Sequence, residues 1–412
     1  MTMFKKAVLA SAIALSSASA FAANCGFTQG NVSIIGNEFP AIQTIVAEAK
    51  SCASAGSTIE SNLTKEHRNL HRAALSADPA QYSVAIIANA NVGYLMADNS
   101  LRPLNDLVEK FGQDIPDRQL IRLGNDIIAV AFMANAQHHM YRADVLEAAG
   151  VDVPTTWEGV LEAAEAIKSK GLMEYPVGGT YKAGWNLAQA FNNMYLGHGG
   201  EFFKAGTSEV NINNAQGVAT LEMMKSLSEY MNPDYLTHDS NALQAEWEAG
   251  NVAMANFWAS RAGNLLDDEG STPEVVAGTT MGGPLMVAGG STPATTLWWD
   301  GWALAKNISD ADAEASFKAM MKGTTQGVLN ADNMSQATWL IEGYERTPAS
   351  AGVFKSIEAG SKPYPMAESQ SLLHTAIGGE ISDFLTGKQT AAESLADVEA
   401  AYTAAAKEKG LL

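Results

Sequence analysis

Short apolar runs alternate with amphipathic helical patterns along almost the whole of this 412-residue chain, and that alternation admits few folds. Val32–Gly36, Tyr82–Ala88, Asp126–Phe132, Tyr175–Gly179 and Val252–Phe257 read as strands. Between and after them the periodicity predicts helices over Pro40–Ala53, Thr58–Ser76, Trp157–Lys170, Asn214–Tyr230, Asp310–Lys322 and Ala391–Glu408, several opening at Thr, Asn or Asp in cap position. An α/β architecture with largely parallel sheets is expected. Neither an internal repeat nor a low-complexity linker interrupts the pattern. A chain too long for one compact core, and without a linker, must then join two lobes by strands or short segments that cross between them.

The first residues, Met-Thr-Met-Phe-Lys5-Lys6, lead into an apolar run from Ala7 to Leu15 and then small residues ending Ala20-Phe21-Ala22. This is the three-part form of a secretory signal peptide, so residues 1–22 are expected to be removed by cleavage after Ala22. The apolar run falls short of the ~20 residues that cross a bilayer. Asn24 directly before Cys25 does not suit lipoprotein processing, so the mature chain is expected to be soluble in the periplasm. Loss of Lys5 and Lys6 takes 26 basic residues to 24 against 45 acidic ones, and the net charge from −19 to −21. That balance argues against nucleic acid and anionic membrane surfaces as partners. It reads as a solubility feature and does not choose a solute.

The two cysteines, Cys25 and Cys52, both lie near the start of the mature chain, in an oxidising compartment. A helix over Pro40–Ala53 that packs back along the strand Val32–Gly36 brings its end near the strand's start, since each spans roughly 15–20 Å. A Cys25–Cys52 disulfide is therefore predicted, with two buried free thiols as the alternative.

The stretch from Asp126 to Glu158 contains Asn135-Ala-Gln137-His138-His139-Met-Tyr141-Arg-Ala-Asp144-Val-Leu146-Glu-Ala-Ala-Gly150-Val-Asp-Val-Pro154-Thr-Thr156-Trp157-Glu158. It resembles the hinge-crossing signature of the family 1 extracellular solute-binding proteins, in which a strand leaves the first lobe, a ligand-facing loop follows, and a segment ending Pro-x-Thr-Trp-Asp/Glu opens the second. Asn186–Phe203 with Gly197-His198-Gly199-Gly200, Glu246–Trp258, and Trp299-Asp300-Gly301-Trp302 through Asn307 are similar to later segments of the same family, in the same order. Trp298 and Trp299 stand where many members carry glycines, which should narrow the pocket. The resemblance implies a two-lobe, type II-like periplasmic-binding-protein fold with several hinge crossings. Residues 23–133 plus 284–342 would form the N-terminal lobe and residues 134–283 plus 343–412 the C-terminal lobe. It further implies a monomeric, cofactor-free capture subunit of an ABC importer, binding a carbohydrate or polyol between the lobes and passing it to the permease. Alternatives are an anionic or organosulfur sugar derivative, a sugar acid, a polyamine, a sensor role with a membrane receptor, or a polysaccharide-active hydrolase.

Neutral sugars offer flat C–H patches to aromatic faces, and hydroxyls that need donors and acceptors together. The resemblance places at the lobe interface Glu38 and Phe39, Asn89 and Asn91, Asn135, Gln137 and His138, Trp185 with Asn186 and Gln189, Trp298 to Asp300, and Tyr364. Trp185, Trp258 and Trp299 are the expected platforms; Trp157, Trp247 and Trp339 read as structural. Glu38 and Asp300 are either hydroxyl acceptors or surface and capping carboxylates. Arg261, three residues beyond Trp258, either binds an anionic group on the solute or pairs with Asp267 or Asp268. With Lys182 it would favour anionic cargo. Adjacent histidines in an extended segment point to opposite sides, so His138 and His139 do not chelate. The chain carries no His-Glu-x-x-His, no Gly-x-Ser-x-Gly elbow, no phosphate-binding loop and no dinucleotide fingerprint. Neither a metal nor catalysis is expected.

Overall fold

The computed structural model describes residues 25–53 and 57–412; the expected signal peptide at residues 1–22 lies outside the described residues. Seven strands form its main sheet path: β1 (Val32–Gly36), β2 (Ile59–Leu63), β3 (Val84–Ala88), β4 (Asp126–Arg142), β5 (Val177–Gly179), β6 (Met254–Trp258) and β7 (Thr296–Ala305). Their spatial order is β2-β1-β3-β7-β4-β6-β5, with shorter strands pairing alongside. Pairing is parallel at both ends, β1 with β2 and β3, and β5 with β6. It is antiparallel in the middle, where β7 lies between β3 and β4, and β4 pairs β6. The expected largely parallel sheets are thus a mixed sheet, because the two central strands run against each other as the chain passes out and back.

The 17-residue β4 is the spine of the molecule. Its first part, through Ala136, pairs with β7, and Gln137–Tyr141 pairs with β6. The sequence reading ended this strand at Phe132 and placed a loop beyond it. Instead the backbone stays extended to Arg142, because both edges of the later residues find hydrogen-bonding neighbours, β6 and Thr279–Met281.

Helices cover both ends of the sheet. Those used below are α1 (Pro40–Lys50), α2 (His67–Ser76), α3 (Asn89–Ala97), α4 (Trp157–Ser169), α5 (Trp185–Gly197), α6 (Asp310–Gly323), α7 (Ala351–Glu358), α8 (Glu368–Glu380) and α9 (Ala391–Glu408). Sequence chemistry sets their starts: the Thr156 hydroxyl accepts from Gly159 N at 3.1 Å, and Thr390 with Glu393 forms a capping box. One predicted helix differs. Thr58–Ser76 is not continuous but splits into β2 and α2, since Ile59, Ser61 and Leu63 alternate with Glu60 and Asn62 at the strand period and add a parallel strand beside β1.

Two large apolar clusters sit at opposite ends of β4. One gathers Ile34, Ile42, Val84, Phe132, Trp302, Phe317 and Trp339; the other gathers Trp157, Ile167, Phe191, Tyr195, Leu221, Leu373 and Tyr402. Leu285, Val287 and Ala294 pack into the second, before β7 begins. A third cluster, including Met140, Trp247, Phe257, Trp258, Trp298 and Tyr364, lies between them. The predicted disulfide is present: Cys25 and Cys52 are bonded with Cα atoms 5.2 Å apart, α1 having turned back along β1. Among the described residues no helix is long and apolar enough to cross a membrane.

Candidate functional site

Strand ends and helix starts converge where β3, β6 and β7 finish or begin, and they enclose a cavity of about 90 Å³. Its wall includes Phe39, Asn135, Trp185, Asn186, Trp258, Arg261, Trp298 and Asp300, all expected, and also Asn37, Arg68, Ser240 and Ser260. A second hollow of about 440 Å³ lies on the far side of Trp185 and Arg68, which line both; Asn91, Tyr94, Tyr364 and His374 contribute to it. A further hollow of about 370 Å³, bounded by residues such as Tyr175, Met231 and Leu243, shares none of these groups.

Strand alternation decides which tryptophans face the cavity. In β7, residues 298 and 300 point to one side and residue 299 to the other. Trp298 and Asp300 therefore line the cavity, whereas Trp299, expected as a platform, packs on the opposite face with Ile35, Ile87, Leu95 and Ile128. Trp185, Trp258 and Trp298 form one aromatic wall: Trp185 stacks near Trp258 at 6.3 Å between centroids and meets Trp298 edge-on at 5.7 Å. Trp298 in turn lies 4.2 Å from Tyr364. Trp157, Trp247 and Trp339 are buried and do not line the cavity, Trp247 packing in the cluster behind Trp258 and Trp298.

Several other expected contacts are structural. Glu38 is exposed at the surface, and its neighbour Asn37 reaches the cavity instead. Asn89 accepts from Trp299 N at 2.9 Å and donates to Tyr364 O at 3.3 Å, tying α3 to β7 and to the segment before α8. Asn91 accepts from Ala88 N and donates to Tyr94 Oη, so it fixes the start of α3 while lining the second hollow. Gln137 donates to Thr180 Oγ1 at 3.0 Å and accepts from Asn193 Nδ2 at 2.7 Å. Gln189 donates to Asn193 Oδ1 and to Thr296 Oγ1, and Thr296 Oγ1 accepts from Trp298 Nε1 at 2.9 Å. This buried amide network sets Trp298 from behind without facing the cavity. His138 is fully buried against α7, where a Cβ on Gly352 would come within 2.2 Å of its ring. Burial holds the imidazole neutral, lowering its pKa to about 4. Tyr364 is buried with its hydroxyl 2.8 Å from His374 Nδ1.

The charged groups of the cavity are Arg68, Arg261 and Asp300. The Arg68 guanidinium lies 3.9 Å from the Trp185 ring centroid, a cation–π contact. Arg261 lies in the turn after β6, not on a helical face with Trp258; its Nη1 donates to Gln244 Oε1 at 3.2 Å, and Asp267 and Asp268 are not its partners. Burial lowers the pKa of both arginines, partly opposed for Arg68 by Asp300 and for Arg261 by Asp239 and Glu248. Burial raises the Asp300 carboxyl to about 7, against the pull of Arg68. Lys182 faces Asp239 at 3.5 Å and lies outside the cavity. A polyamine would need several carboxylates and no arginine here; the wall carries two arginines and one carboxylate and does not suit one. Among the described residues no group of three or more His, Cys, Asp or Glu side chains is arranged to hold a metal.

Asn37, Arg68, Ser240 and Ser260 are wall residues that sequence reasoning missed, and Arg68 is the charged one. The predicted helix Thr58–Ser76 assigns Arg68 no role, whereas the period-two pattern of Ile59–Leu63 puts it in the first turn of a helix that follows a strand.

Comparison with known proteins bears on this geometry. A profile of the family described as bacterial extracellular solute-binding protein matches residues 68–324, more than half of the chain. A search of curated protein sequences gave no significant match. Solved structures share the fold. Maltose-bound MalE3 of T. maritima superposes with a TM-score of 0.78 at 17% identity, covering 91% of this chain and 99% of that one. A solute-binding protein of Agrobacterium radiobacter K84 in complex with ribitol gives 0.78 at 18% identity, covering 91% and 98%. One from Agrobacterium vitis S4 with bound D-mannitol gives 0.78 at 19%, covering 93% and 99%. At these identities the likeness establishes the fold.

Proposed function

Because this chain belongs to the bacterial extracellular solute-binding proteins, we propose that it captures a carbohydrate or polyol in the cavity between its two lobes and delivers it to an ABC permease. The observation that carries the reading is the cavity wall itself. The aromatic surfaces of Trp185, Trp258 and Trp298 share one wall with the polar side chains Asn37, Asn135, Asn186, Ser240 and Ser260 and with Asp300, Asn135 and Ser260 being bonded to each other. Aromatic faces take the C–H side of a polyhydroxylated ring or chain, and amides, hydroxyls and a carboxylate take its hydroxyls. Maltose, ribitol and D-mannitol in the structural relatives belong to this chemistry.

The lobes we take as residues 23–133 with 284–342 and 134–283 with 343–412, moved in one respect. Residues 284–295 go with the second lobe, because Leu285, Val287 and Ala294 pack into its core. The wall then draws on both lobes: Phe39, Arg68 and Asp300 from the first, Trp185, Trp258 and Arg261 from the second. A solute that touches both stabilises the closed arrangement over the open one, which is what permits closure to signal occupancy to the permease. At about 90 Å³ the cavity is small beside ligand sites of roughly 300–1,000 Å³, consistent with lobes drawn together. The chain acts as a binding protein without turnover, as a monomer, exported to the periplasm by removal of residues 1–22.

A thermal-shift screen of the mature chain against monosaccharides, disaccharides and polyols tests this reading. A ligand at 100 times its Kd adds about 2.7 kcal/mol to native stability. At least one such solute should raise the melting temperature and be recovered chemically unchanged. A flat screen across the class, or consumption of the solute, contradicts the proposal.

A further inference from the structure

Among the described residues the cavity holds two guanidinium groups that form no ion pair, although Asp300 acts on Arg68, and Asp239 and Glu248 on Arg261, from a distance. Among the described residues Arg68 makes no hydrogen bond or ion pair, and its guanidinium lies over the Trp185 ring. Arg261 bonds a neutral amide, Gln244 Oε1, and stands 5.8 Å from the Phe39 ring centroid. This is not how the molecule treats a structural arginine. Arg142, 4% exposed, is clamped by Asp144 through Nε at 2.8 Å and Nη2 at 2.5 Å. Arg72, at the surface next to the site, is paired with Asp98. In a chain with 45 acidic residues, partners for two more arginines were available.

Arg68 and Arg261 are half-buried, and a guanidinium partly withdrawn from water without an ion-pair partner carries a cost that is retained where something else supplies the charge. Asp300 supplies at most one: it shares the cavity with both arginines but makes no ion pair within 4 Å with either. With Asp300 ionised, the wall still carries a net charge of +1.

We infer that the solute carries a single oxyanion on a polyhydroxylated frame, a sugar acid or its equivalent, with the anion on Arg261 and Arg68 and the hydroxyls shared by Asp300 and the amides. The planar fork of arginine suits a carboxylate or phosphate bidentately. The aromatic wall of Trp185, Trp258 and Trp298 remains for the C–H face. The inference rests on the proposal that this cavity is the solute site, and it narrows the class from neutral sugars and polyols to acidic ones.

The test is calorimetric titration of the mature chain with matched pairs: D-glucuronate and D-glucose, D-galacturonate and D-galactose, D-gluconate and D-glucitol, with D-glucose 6-phosphate as the phosphate arm. One acidic member should bind roughly 10- to 100-fold more tightly than its neutral counterpart, the value of a charge-assisted contact made in a desolvated site. Arg261→Met and Arg68→Met should each remove about tenfold or more of that preference. Arg261→Lys, which keeps the charge and lacks the fork, should keep part of it, and an unchanged melting temperature for each variant separates lost contact from lost fold. Preference for glucose 6-phosphate over every carboxylate would identify phosphate as the oxyanion. Equal or tighter binding of the neutral member of each pair, or a preference that survives both methionine variants, overturns the inference and leaves the sugar-and-polyol reading standing. No saturable binding by any of the probes overturns the inference as well, while the sugar-and-polyol reading falls only if the class-wide thermal-shift screen is also flat.

Discussion

Asp300→Asn tests the electrostatics of the cavity without any ligand. Burial raises the Asp300 carboxyl from its ordinary 3.8 to about 7, with Arg68 opposing the shift from α2 and Arg261 facing the same cavity from the turn after β6. A carboxyl whose folded pKa lies above its unfolded value holds a proton in the native state that the unfolded chain has already lost. Its contribution to stability is therefore complete below about pH 4 and is lost as pH rises through about 7. Three pKa units at 1.36 kcal/mol each set a ceiling of about 4 kcal/mol, and solvent reaching the half-buried carboxyl brings the expected loss to about 1–3 kcal/mol. Asparagine keeps the shape and does not ionise. The assay is urea unfolding of parent and variant at several pH values between 4.5 and 8.5, read as the difference between them, so that every other titrating group cancels. Relative to the parent, the variant should gain stability steadily from pH 4.5 to about 8 and then level off. A difference that is independent of pH, or that grows as pH falls, refutes the burial argument.

Three further outcomes follow from named contacts. His67, His71, His138, His139 and His374 are held neutral by burial, with pKa values lowered to about 2, 4, 4, 3 and 4. Their contribution is present above about pH 6.5 and lost as pH falls, each costing up to about 1.4 kcal/mol per pH unit, so the urea midpoint should drop steeply between pH 6 and 4.5. Gly352→Ala forces a Cβ against the His138 ring, with three ring atoms within 2.3 Å, and should lower stability by roughly 1–3 kcal/mol despite the better helix propensity of alanine; an unchanged midpoint would contradict that packing. Trp299→Ala and Trp185→Ala should separate two roles. The first should cost about 3–5 kcal/mol of stability with little change in solute Kd, whereas the second should raise Kd at least about tenfold, measured by calorimetry beside chemical unfolding.

What the sequence made legible, and what it hid, divides along physical lines. The strand Val32–Gly36, the helix Ala391–Glu408 and the Cys25–Cys52 bond follow from local patterns and short-range geometry, and the structure has all three. The continuous β4 was hidden because Asn135-Ala-Gln-His-His139 looks polar, and its burial comes from hydrogen bonds to partners over 100 residues away in sequence. At the candidate site, several of the segments named by the resemblance do line the cavity, but a resemblance gives no side-chain direction. Trp299 was chosen over Trp298 as a platform, though the two face opposite sides of one strand. Gln137, Gln189 and His138 lie close to the cavity in sequence and in space, yet their polar atoms are spent on Thr180, Asn193, Thr296 and backbone. Arg68 becomes legible only once Ile59–Leu63 is a strand, because it then stands in the first turn of α2 at the strand-to-helix corner.

Capture of one solute molecule, unchanged, in the cavity walled by Trp185, Trp258, Trp298 and Asp300 is the proposal most open to direct test. The most direct measurement is a crystal structure of the mature chain grown with the tightest-binding solute of the calorimetric panel, together with mass spectrometry of the solute released from the same protein. The expected result is one intact molecule in that cavity, its C–H face on the tryptophans and its oxygens on Asp300 and the arginines. A solute seated elsewhere, such as the hollow beside Tyr175 and Met231, or one recovered cleaved, would contradict the claim.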